Sequence, residues 1–445
     1  MEFSDVYVQT GGLCEYSPNG RSFAVAAEHR LIVREAESMA LQCVHQCKDK
    51  VSSIEWSSDS VYILCAMHKR GLVEVWSVED PDWTCRIDEG SAGLTTARWS
   101  PDGRHVLTSA DFQLRTTIWS LVSQQVHYLK FPKFNCKQGC AFSRDGAYMA
   151  VLERTDCRDR VSIFACKTWE MVGNFGIGTV DSTELSWSPD GRAICVTDSI
   201  VNHRVCIYQP DGRELAVVSA YEHALGVKTV AWSPSSQLLA VGSYDQKVRL
   251  LNNLTWGLIS EFPHGVAAPD GRAVIYREVE TRDAAERIEA AAAGADSVAM
   301  TRFDVEEDVL PLESVRADPE KPFPRLGIGL LAFSPDSRFF ATRNDNMPTV
   351  VWVWDVAKLC TTAVLRHIGG VRTLKWHPVR NLLAIATGGG SLYFWSPRGA
   401  LCAHTPTDRD FSVQDMRWHP TGDSLLLYDK KRVCVAFTAT GLEAL

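Results

Sequence analysis

The chain has 445 residues, 46 Lys and Arg against 54 Asp and Glu, and 45% apolar residues, giving a formal net charge of −8. This composition is too apolar for a disordered protein, and no stretch approaches the ~18 unbroken apolar residues of a membrane-spanning helix. The acidic balance argues against a nucleic-acid role that requires the neutralisation of many phosphates.

The first predicted element is a short strand near the start of the chain. The opening sequence MEFSDVYVQT has neither the basic nor the apolar region of a secretory signal, so we expect a cytoplasmic or nuclear protein. Residues 4–10, SDVYVQT, have no strand partner of their own nearby in the sequence. We predict that they form the outer strand of the last repeat, which would protect its edge.

A repeat of 40 to 45 residues follows and organises most of the chain. Each copy begins with an aromatic residue and Ser-Pro-Asp-Gly or a close variant, a sequence that turns the chain sharply. The nine aromatic residues are Tyr16, Trp56, Trp99, Phe142, Trp187, Trp232, Phe333, Trp376 and Trp418. The intervals are regular except for one of 101 residues. Such a period indicates a repeat architecture.

Each copy predicts four short antiparallel strands. A half-buried strand leads to the first aromatic, and an almost continuously apolar strand follows the turn. A third strand ends in a bulky residue in six copies, at Trp76, Trp119, Phe164, Tyr208, Trp354 and Trp395. A more polar fourth strand, such as LQCVHQC, leads to the next copy. This pattern is typical of the blades of a WD-repeat β-propeller, an all-β fold.

Nine repeat units exceed the usual four to eight blades of a propeller. One closed ring explains the apparent pairing of the two chain ends most simply, and two rings are the alternative. The tryptophans of the repeats are predicted to be structural: Trp56, Trp76, Trp99, Trp119, Trp187, Trp232, Trp354, Trp376, Trp395 and Trp418.

One irregular insertion interrupts the repeats. Residues 265–325 contain 14 acidic and 8 basic residues, and they therefore hold most of the net negative charge. Residues 283–300 are Ala-rich and favour a helix. We predict repeats one to six in residues 1–262, an acidic loop or partly helical insertion in 263–326, and repeats seven to nine in 327–445. A partner-binding loop and a degenerate extra blade are alternatives for the insertion.

No catalytic, cofactor-binding or metal-binding motif stands out. The sequence CVHQC places Cys43, His45 and Cys47 on one face of a strand, but a fourth zinc ligand is missing, so packing is the favoured interpretation. His377 and His419 occupy the serine position of the turn, and the carboxylates of Asp245 and Asp345 are expected to brace their blades. The fourteen cysteines lie mostly in apolar runs and are predicted to be reduced.

Two loops, HKRG (68–71) and ATRNDNMP (341–348), carry more charge than a turn needs, and IDEGSAGL (87–94) is a third candidate. We predict that these loops bind protein partners, with solvated surface as the alternative. The candidate residues are His68, Lys69, Arg70, Asp88, Glu89, Arg343, Asn344, Asp345 and Asn346.

The chain resembles the WD repeat-containing protein eight family of centrosomal and spindle-pole proteins. The most specific stretches are ILCAMHKRGLVEVWS, IDEGSAGL, VAWSPSSQLLAVGSYDQKVRLLN and GIGLLAFSPDSRFFATRNDN, while residues 265–321 match poorly. The resemblance implies a non-enzymatic adaptor at the centrosome, microtubule-organising centre or spindle pole. It also implies a coiled-coil anchoring partner, γ-tubulin complexes or microtubule minus ends, a minus-end-directed kinesin, and a role in spindle organisation and cilium assembly.

Two other classes of function remain open at this point. A substrate-adaptor subunit of a ubiquitin ligase or a chromatin complex would have the same fold and different partners. A propeller hydrolase would need convergent carboxylates or a metal site in a central channel.

Overall fold

The computed structural model describes residues 1–113, 115–266, 273–280, 301–306, 311–318, 320, 324–405 and 411–438. Regular structure in these residues is almost entirely β-strand, with short 3-10 helices at His68–Arg70, Gly90–Ala92 and Asp111–Gln113. The chain divides into two compact units, one of Val8–Val227 and one of Met1–Tyr7 with Lys228–Leu445.

Five four-stranded antiparallel sheets form the unit Val8–Val227, and each takes its strands in chain order. The strands are β3 (Cys14–Tyr16), β4 (Ser22–Ala27), β5 (Arg30–Glu35), β6 (Leu41–Gln46), β7 (Ser53–Trp56), β8 (Tyr62–Met67), β9 (Leu72–Ser77), β10 (Thr84–Asp88), β11 (Thr96–Trp99), β12 (His105–Ser109), β13 (Arg115–Ser120), β14 (Val126–Lys130), β15 (Cys140–Phe142), β16 (Tyr148–Thr155), β17 (Arg158–Ala165), β18 (Met171–Gly176), β19 (Glu184–Trp187), β20 (Ile194–Thr197), β21 (Val205–Tyr208) and β22 (Glu214–Val218).

Four further sheets form the other unit. Its strands are β1 (Glu2–Phe3), β23 (Val227–Trp232), β24 (Leu238–Ser243), β25 (Lys247–Asn252), β26 (Leu258–Pro263), β27 (Val274–Glu280), β28 (Thr301–Glu306), β29 (Ile328–Phe333), β30 (Phe339–Asn344), β31 (Val350–Asp355), β32 (Cys360–Arg366), β33 (Thr373–Trp376), β34 (Leu383–Ala386), β35 (Ser391–Ser396), β36 (Gly399–His404), β37 (Asp415–Trp418), β38 (Ser424–Tyr428) and β39 (Arg432–Phe437). The short strand β2 (Tyr7–Val8) spans the boundary between the units.

The burial pattern of each strand matches the position of that strand in its sheet. In β8 and β9, the second and third strands of one sheet, five of six residues are buried, because both faces are covered. The outer strand β6 buries only His45 fully. The first strand β11 alternates partly exposed and buried residues. The predicted all-β fold of nine repeat units with four antiparallel strands, the blades of a propeller, is therefore confirmed for the described residues.

The start of the chain pairs with the last strand. Glu2 and Phe3 lie opposite Phe437 and Ala436 of β39. The amide of Ser4 donates a hydrogen bond to the carbonyl of Val435 at 2.8 Å. The last sheet, whose own strands are β37 to β39, thereby gains an outer strand. The pairing begins at Glu2, two residues before the segment 4–10 that the sequence singles out.

The insertion differs from its prediction. Strands β27 and β28 form an antiparallel hairpin, and β27 pairs in parallel with β32, so the seventh sheet has six strands. The expectation of a loop or partly helical segment is wrong for these two strands. Their sequences, VIYREVE and TRFDVE, combine β-branched, aromatic and alternating polar residues, which favour strands.

Other parts of the sequence-based organisation stay predictions. The helix predicted over residues 283–300 lies outside the described residues. The domain boundaries at residues 262 and 326 stay predictions, as do the single closed ring and the two-ring alternative.

Candidate functional site

The Ser-Asp pair of the repeat motif holds the turn between the first two strands of a blade. In the second copy, the Ser57 hydroxyl donates to Asp59 Oδ1 at 2.6 Å and accepts from the Tyr62 amide at 2.9 Å. A serine hydroxyl donates to the side chain two positions later in six copies, at Ser17, Ser57, Ser100, Ser143, Ser188 and Ser334. In a seventh copy the hydroxyls of Ser233 and Ser235 lie 3.1 Å apart. The turns are therefore rigid, self-satisfied ends of the blades.

His377 takes the serine position in the eighth copy. Its Nδ1 accepts hydrogen bonds from the amides of Val379 and Arg380 at 3.0 and 2.9 Å. In the ninth copy, His419 Nδ1 lies 2.7 Å from the Thr421 hydroxyl. Both histidines are engaged in the turn.

Tryptophans at the ends of the first strands join consecutive blades. The Nε1 hydrogen of Trp56 donates to the carbonyl of Glu15, the residue before the aromatic of the previous copy, at 3.1 Å. The same relationship holds for Trp99 with Glu55, Trp187 with Ala141, Trp376 with Ala332 and Trp418 with Lys375, at 2.9 to 3.1 Å. These side chains bind the blades of each unit to one another; Trp56, Trp99 and Trp187 are buried, and Trp376 and Trp418 are half-buried.

The predicted site residue Glu89 is buried where its blade meets the next one. Its Oε1 accepts from Trp119 Nε1 at 3.0 Å and from the Thr108 hydroxyl, while its carboxylate lies 3.6 Å from Arg115. The Glu89 side chain is only 1% exposed. The carboxylate thus ties the connection after the fourth strand to the second and third strands of the next blade.

A histidine, His264, corresponds to Glu89 where the sixth blade meets the seventh. His264 Nε2 lies 2.6 Å from the Thr342 hydroxyl, which accepts a hydrogen bond from Trp354 Nε1 at 2.9 Å. Burial lowers the pKa of His264 to about 4 because the charged imidazolium is disfavoured away from water. His264 is therefore a neutral structural group at physiological pH.

The remaining tryptophans of the repeats lie in aromatic pairs. Trp76 stacks on His45 with ring centroids 4.6 Å apart, Trp232 packs edge-on to Trp256 at 5.9 Å, and Trp395 packs edge-on to Trp376 at 6.1 Å.

The first two candidate loops lie side by side in the unit Val8–Val227. The amide of Glu89 donates to the carbonyl of Gly71 at 3.0 Å, which joins the connection between β8 and β9 to the one after β10. Lys69 and Asp88 are exposed and His68 is half-buried. Arg70 is exposed and donates to Asp49 Oδ2 at 2.9 Å. The partner-binding role of these residues stays a prediction.

The third candidate loop is more buried than its composition indicates. The side-chain amides of Asn344 and Asn346 are buried and donate to Gln246 Oε1 at 3.0 and 2.9 Å. Asp345 accepts a hydrogen bond from Lys228 Nζ at 2.6 Å and one from Arg343. Of the four candidate residues in this loop, Arg343 and Asp345 are half-buried, and both line a cavity.

This cavity has a volume of about 350 Å³ and opens to solvent. Its lining includes Arg325, Arg343, Asp345, Pro348, Val371 and Arg372. Arg325 and Arg372 are exposed, and neither side chain has a hydrogen-bond or ion-pair partner among the described residues. We name it the arginine cavity.

Two glycines shape the arginine cavity by close approach. A Cβ on Gly329 would lie 2.1 Å from Asp345 Oδ1, so the carboxylate fits only because that side chain is absent. A Cβ on Gly388, where φ is +87°, would lie 3.4 Å from both Cγ and Nε of Arg372. Arg372 therefore packs at about van der Waals distance from this position, and the positive φ is the reason that glycine is favoured there.

Sequence reasoning missed Arg325 and Arg372, because Arg372 lies outside the charge-rich loops of the repeats and Arg325 is the last residue of the segment 265–325, which as a whole is acidic. A signal was available for Arg372. It stands four residues before Trp376, and Lys228 stands four residues before Trp232. Superposing the repeats on their aromatics places basic residues in the same position of the sixth and eighth copies. Arg325, at the end of the insertion, has no such signal.

The CVHQC sequence forms part of the blade packing. His45 stacks on Trp76, and Cys47 is buried among apolar residues. Within the described ranges, no group of three or more His, Cys, Asp or Glu side chains is arranged to hold a metal ion. In the same ranges, no helix has the length and apolar character needed to cross a membrane.

Comparisons with known proteins agree with this architecture. The family model "WD domain, G-beta repeat" matches residues 212–252. The mouse protein "WD repeat-containing protein WRAP73" is 44% identical over 446 aligned residues, covering 99% of this chain and 96% of the relative. An uncharacterised WD repeat-containing protein of Schizosaccharomyces pombe is 24% identical, covering 87% of this chain and 81% of its own length.

Solved structures support the fold alone. The C-terminal WD40 domain of Sif2 has a TM-score of 0.53 at 12% identity and covers 98% of this chain and 99% of its own. A eukaryotic initiation factor has a TM-score of 0.58 at 11% identity, covering 91% and 89%. The relative carries the name WRAP73 and not the family name suggested by the sequence stretches, so the resemblance is confirmed at the level of a WD-repeat protein.

Proposed function

The chain belongs to the WD-repeat family that includes mouse WRAP73, and on that premise we propose that it is a non-enzymatic scaffold for protein partners. The observation that carries this proposal is identity of 44% across 99% of the chain, which spans all nine blades. Identity over this length indicates that the two proteins share the complete fold.

The physical organisation of the blades supports a scaffold. Their turns satisfy their own hydrogen bonds, and tryptophans join consecutive first strands within each unit. Loops on such stiff sheets can present side chains without a large entropic cost on binding.

We further propose that the scaffold binds a coiled-coil partner and anchors microtubule minus ends at the centrosome or spindle pole, supporting spindle organisation and cilium assembly. The four sequence stretches that resemble the centrosomal family support this part. The net charge of −8 favours anchoring through a partner, because direct binding to acidic tubulin would favour a basic surface. A γ-tubulin complex and a minus-end-directed kinesin are the other partners that this proposal includes.

Proximity labelling tests the proposal. A biotin ligase is fused to the full chain in dividing cells, with the ligase alone as the control, and labelled proteins are identified by mass spectrometry. Enrichment of pericentriolar coiled-coil proteins and γ-tubulin complexes is the expected result. Enrichment of cullin or histone machinery in their place would support the substrate-adaptor or chromatin alternative and contradict centrosomal anchoring.

A further inference from the structure

We propose that the arginine cavity binds an acidic peptide segment of a protein partner, with Arg325 and Arg372 as the residues that grip its anionic side chains. This inference rests on the proposed scaffold function and adds a place and a chemistry to it.

The charges around the cavity are unbalanced toward positive. Asp345 is the one carboxylate among the described lining residues, and it already accepts from Lys228 at 2.6 Å and from Arg343. The two positive charges of Lys228 and Arg343 therefore already exceed the single negative charge of Asp345, and Arg325 and Arg372 add two more. In a chain with a net charge of −8, such a cationic surface attracts an anionic ligand.

The ion pairs at the base hold the cavity in shape. Lys228 Nζ also donates to the carbonyl of Leu326 at 2.7 Å, and Arg343 donates to the carbonyl of Val371. These bonds fix the backbone immediately after Arg325 and immediately before Arg372. The two exposed guanidinium groups are therefore attached to braced positions of the chain.

Arg343 contributes a further unsatisfied donor. Its Nε is buried and has no hydrogen-bond partner among the described residues, although its terminal nitrogens are engaged. A buried donor without a partner costs free energy, so a ligand oxygen that reaches it would be favoured.

The shape and chemistry of the cavity suit a peptide side chain. A volume of about 350 Å³ accommodates one or two acidic side chains, and Pro348 and Val371 supply apolar contact for their methylene groups. Guanidinium groups bind carboxylate and phosphate oxygens in pairs of parallel hydrogen bonds. Glutamate, aspartate and phosphoserine residues share this chemistry, and the experiment separates them.

Fluorescence polarisation with the full chain tests the proposal. The probes are a labelled peptide with four consecutive glutamates, the same peptide with glutamines, and the same peptide with phosphoserine at two of the four positions. The glutamate peptide should bind, and the glutamine peptide should not. The double variant R325E/R372E should weaken binding by about tenfold or more, because two attractive charges become repulsive.

Arg398 supplies the matched control. Arg398 is exposed in the turn between β35 and β36. This turn follows the end of β35, whereas Gly388 precedes its start, so R398E should bind the glutamate peptide like the wild type. Each variant should melt at the wild-type temperature, and R372Q provides a milder second variant. Equal binding by R325E/R372E and the wild type would overturn the proposal.

The other possible outcomes also test the proposal. Binding of the phosphoserine peptide alone assigns the cavity to a phosphorylated segment and supports the proposal. Binding of inorganic phosphate without either anionic peptide overturns it. If R325E/R372E labels the same proteins in cells as the wild type, the cavity proposal fails and the scaffold proposal stands. If the wild type labels no partner, the scaffold proposal itself fails.

Discussion

The indole of Trp376 donates a hydrogen bond to the backbone carbonyl of Ala332 at 2.9 Å, which joins the first strand of the eighth blade to that of the seventh. This contact explains why a tryptophan recurs at the end of the first strand. The ring packs on residues of both blades, and its nitrogen donates to a carbonyl of β29, the edge strand of its sheet.

Trp376→Phe should lower the free energy of unfolding of the chain. The substitution keeps an aromatic ring but removes the donor to Ala332, and a lost hydrogen bond that leaves a partly buried carbonyl costs roughly 1–3 kcal/mol. Thermal melting by circular dichroism measures the effect. Trp83→Phe is the control, because the Trp83 indole makes no hydrogen bond among the described residues. Equal melting temperatures for both variants would contradict the assigned role.

Acid should destabilise the chain through His264. The pKa of His264 is about 4 in the folded state and 6.5 in the unfolded state, because burial disfavours the imidazolium ion. The unfolded state therefore takes up the proton first as the pH falls. The stability that this difference provides is fully present above pH 6.5 and is lost toward pH 4, on the order of 3 kcal/mol in all.

His264→Gln should remove this pH dependence. The variant should be less stable than the wild type at pH 7.5, since the bond to Thr342 is disturbed, but its melting temperature should fall less steeply between pH 6.5 and 4.5. His223→Gln is the matched control, because the His223 side chain is 95% exposed. An unchanged acid dependence in His264→Gln would assign the effect to other groups.

Deletion of residues 1–6 should lower the melting temperature. It removes strand β1 and the hydrogen bonds between Ser4 and Val435, so the outer edge of the last sheet loses part of its partner. Asp5→Ala is the control, since it keeps the backbone of the strand. A deletion variant that melts like the control would show that this strand contributes little stability.

Glu278→Ala should destabilise the chain although Glu278 lies in the insertion. Its carboxylate accepts from the Tyr393 hydroxyl at 2.5 Å and from the Ile368 amide at 2.8 Å, and its loss removes the carboxylate acceptor of a buried hydroxyl. The expected cost is about 1–3 kcal/mol. Glu280→Ala, on the exposed end of the same strand, is the control. Indistinguishable urea midpoints would show that the contacts of Glu278 to Tyr393 and Ile368 contribute little stability.

The sequence by itself determined the repeating part of the fold. The nine aromatic and Ser-Pro-Asp-Gly copies predict the strands and turns, because alternation of apolar residues and turn chemistry are local properties. In the second copy, Ser57 and Asp59 make the turn contacts that their residue types require within five residues of chain. The burial of Trp56 follows from the same local pattern.

Only the tertiary structure decided the long-range arrangements. The parallel pairing of β27 with β32 joins residues about ninety positions apart, and no local pattern specifies that register. Glu89 and Asn344 look like exposed loop residues in the sequence, yet folding surrounds them with partners from other strands. The arginine cavity depends on the same physics, because Arg325 and Arg372 become neighbours only when the loops of consecutive blades meet.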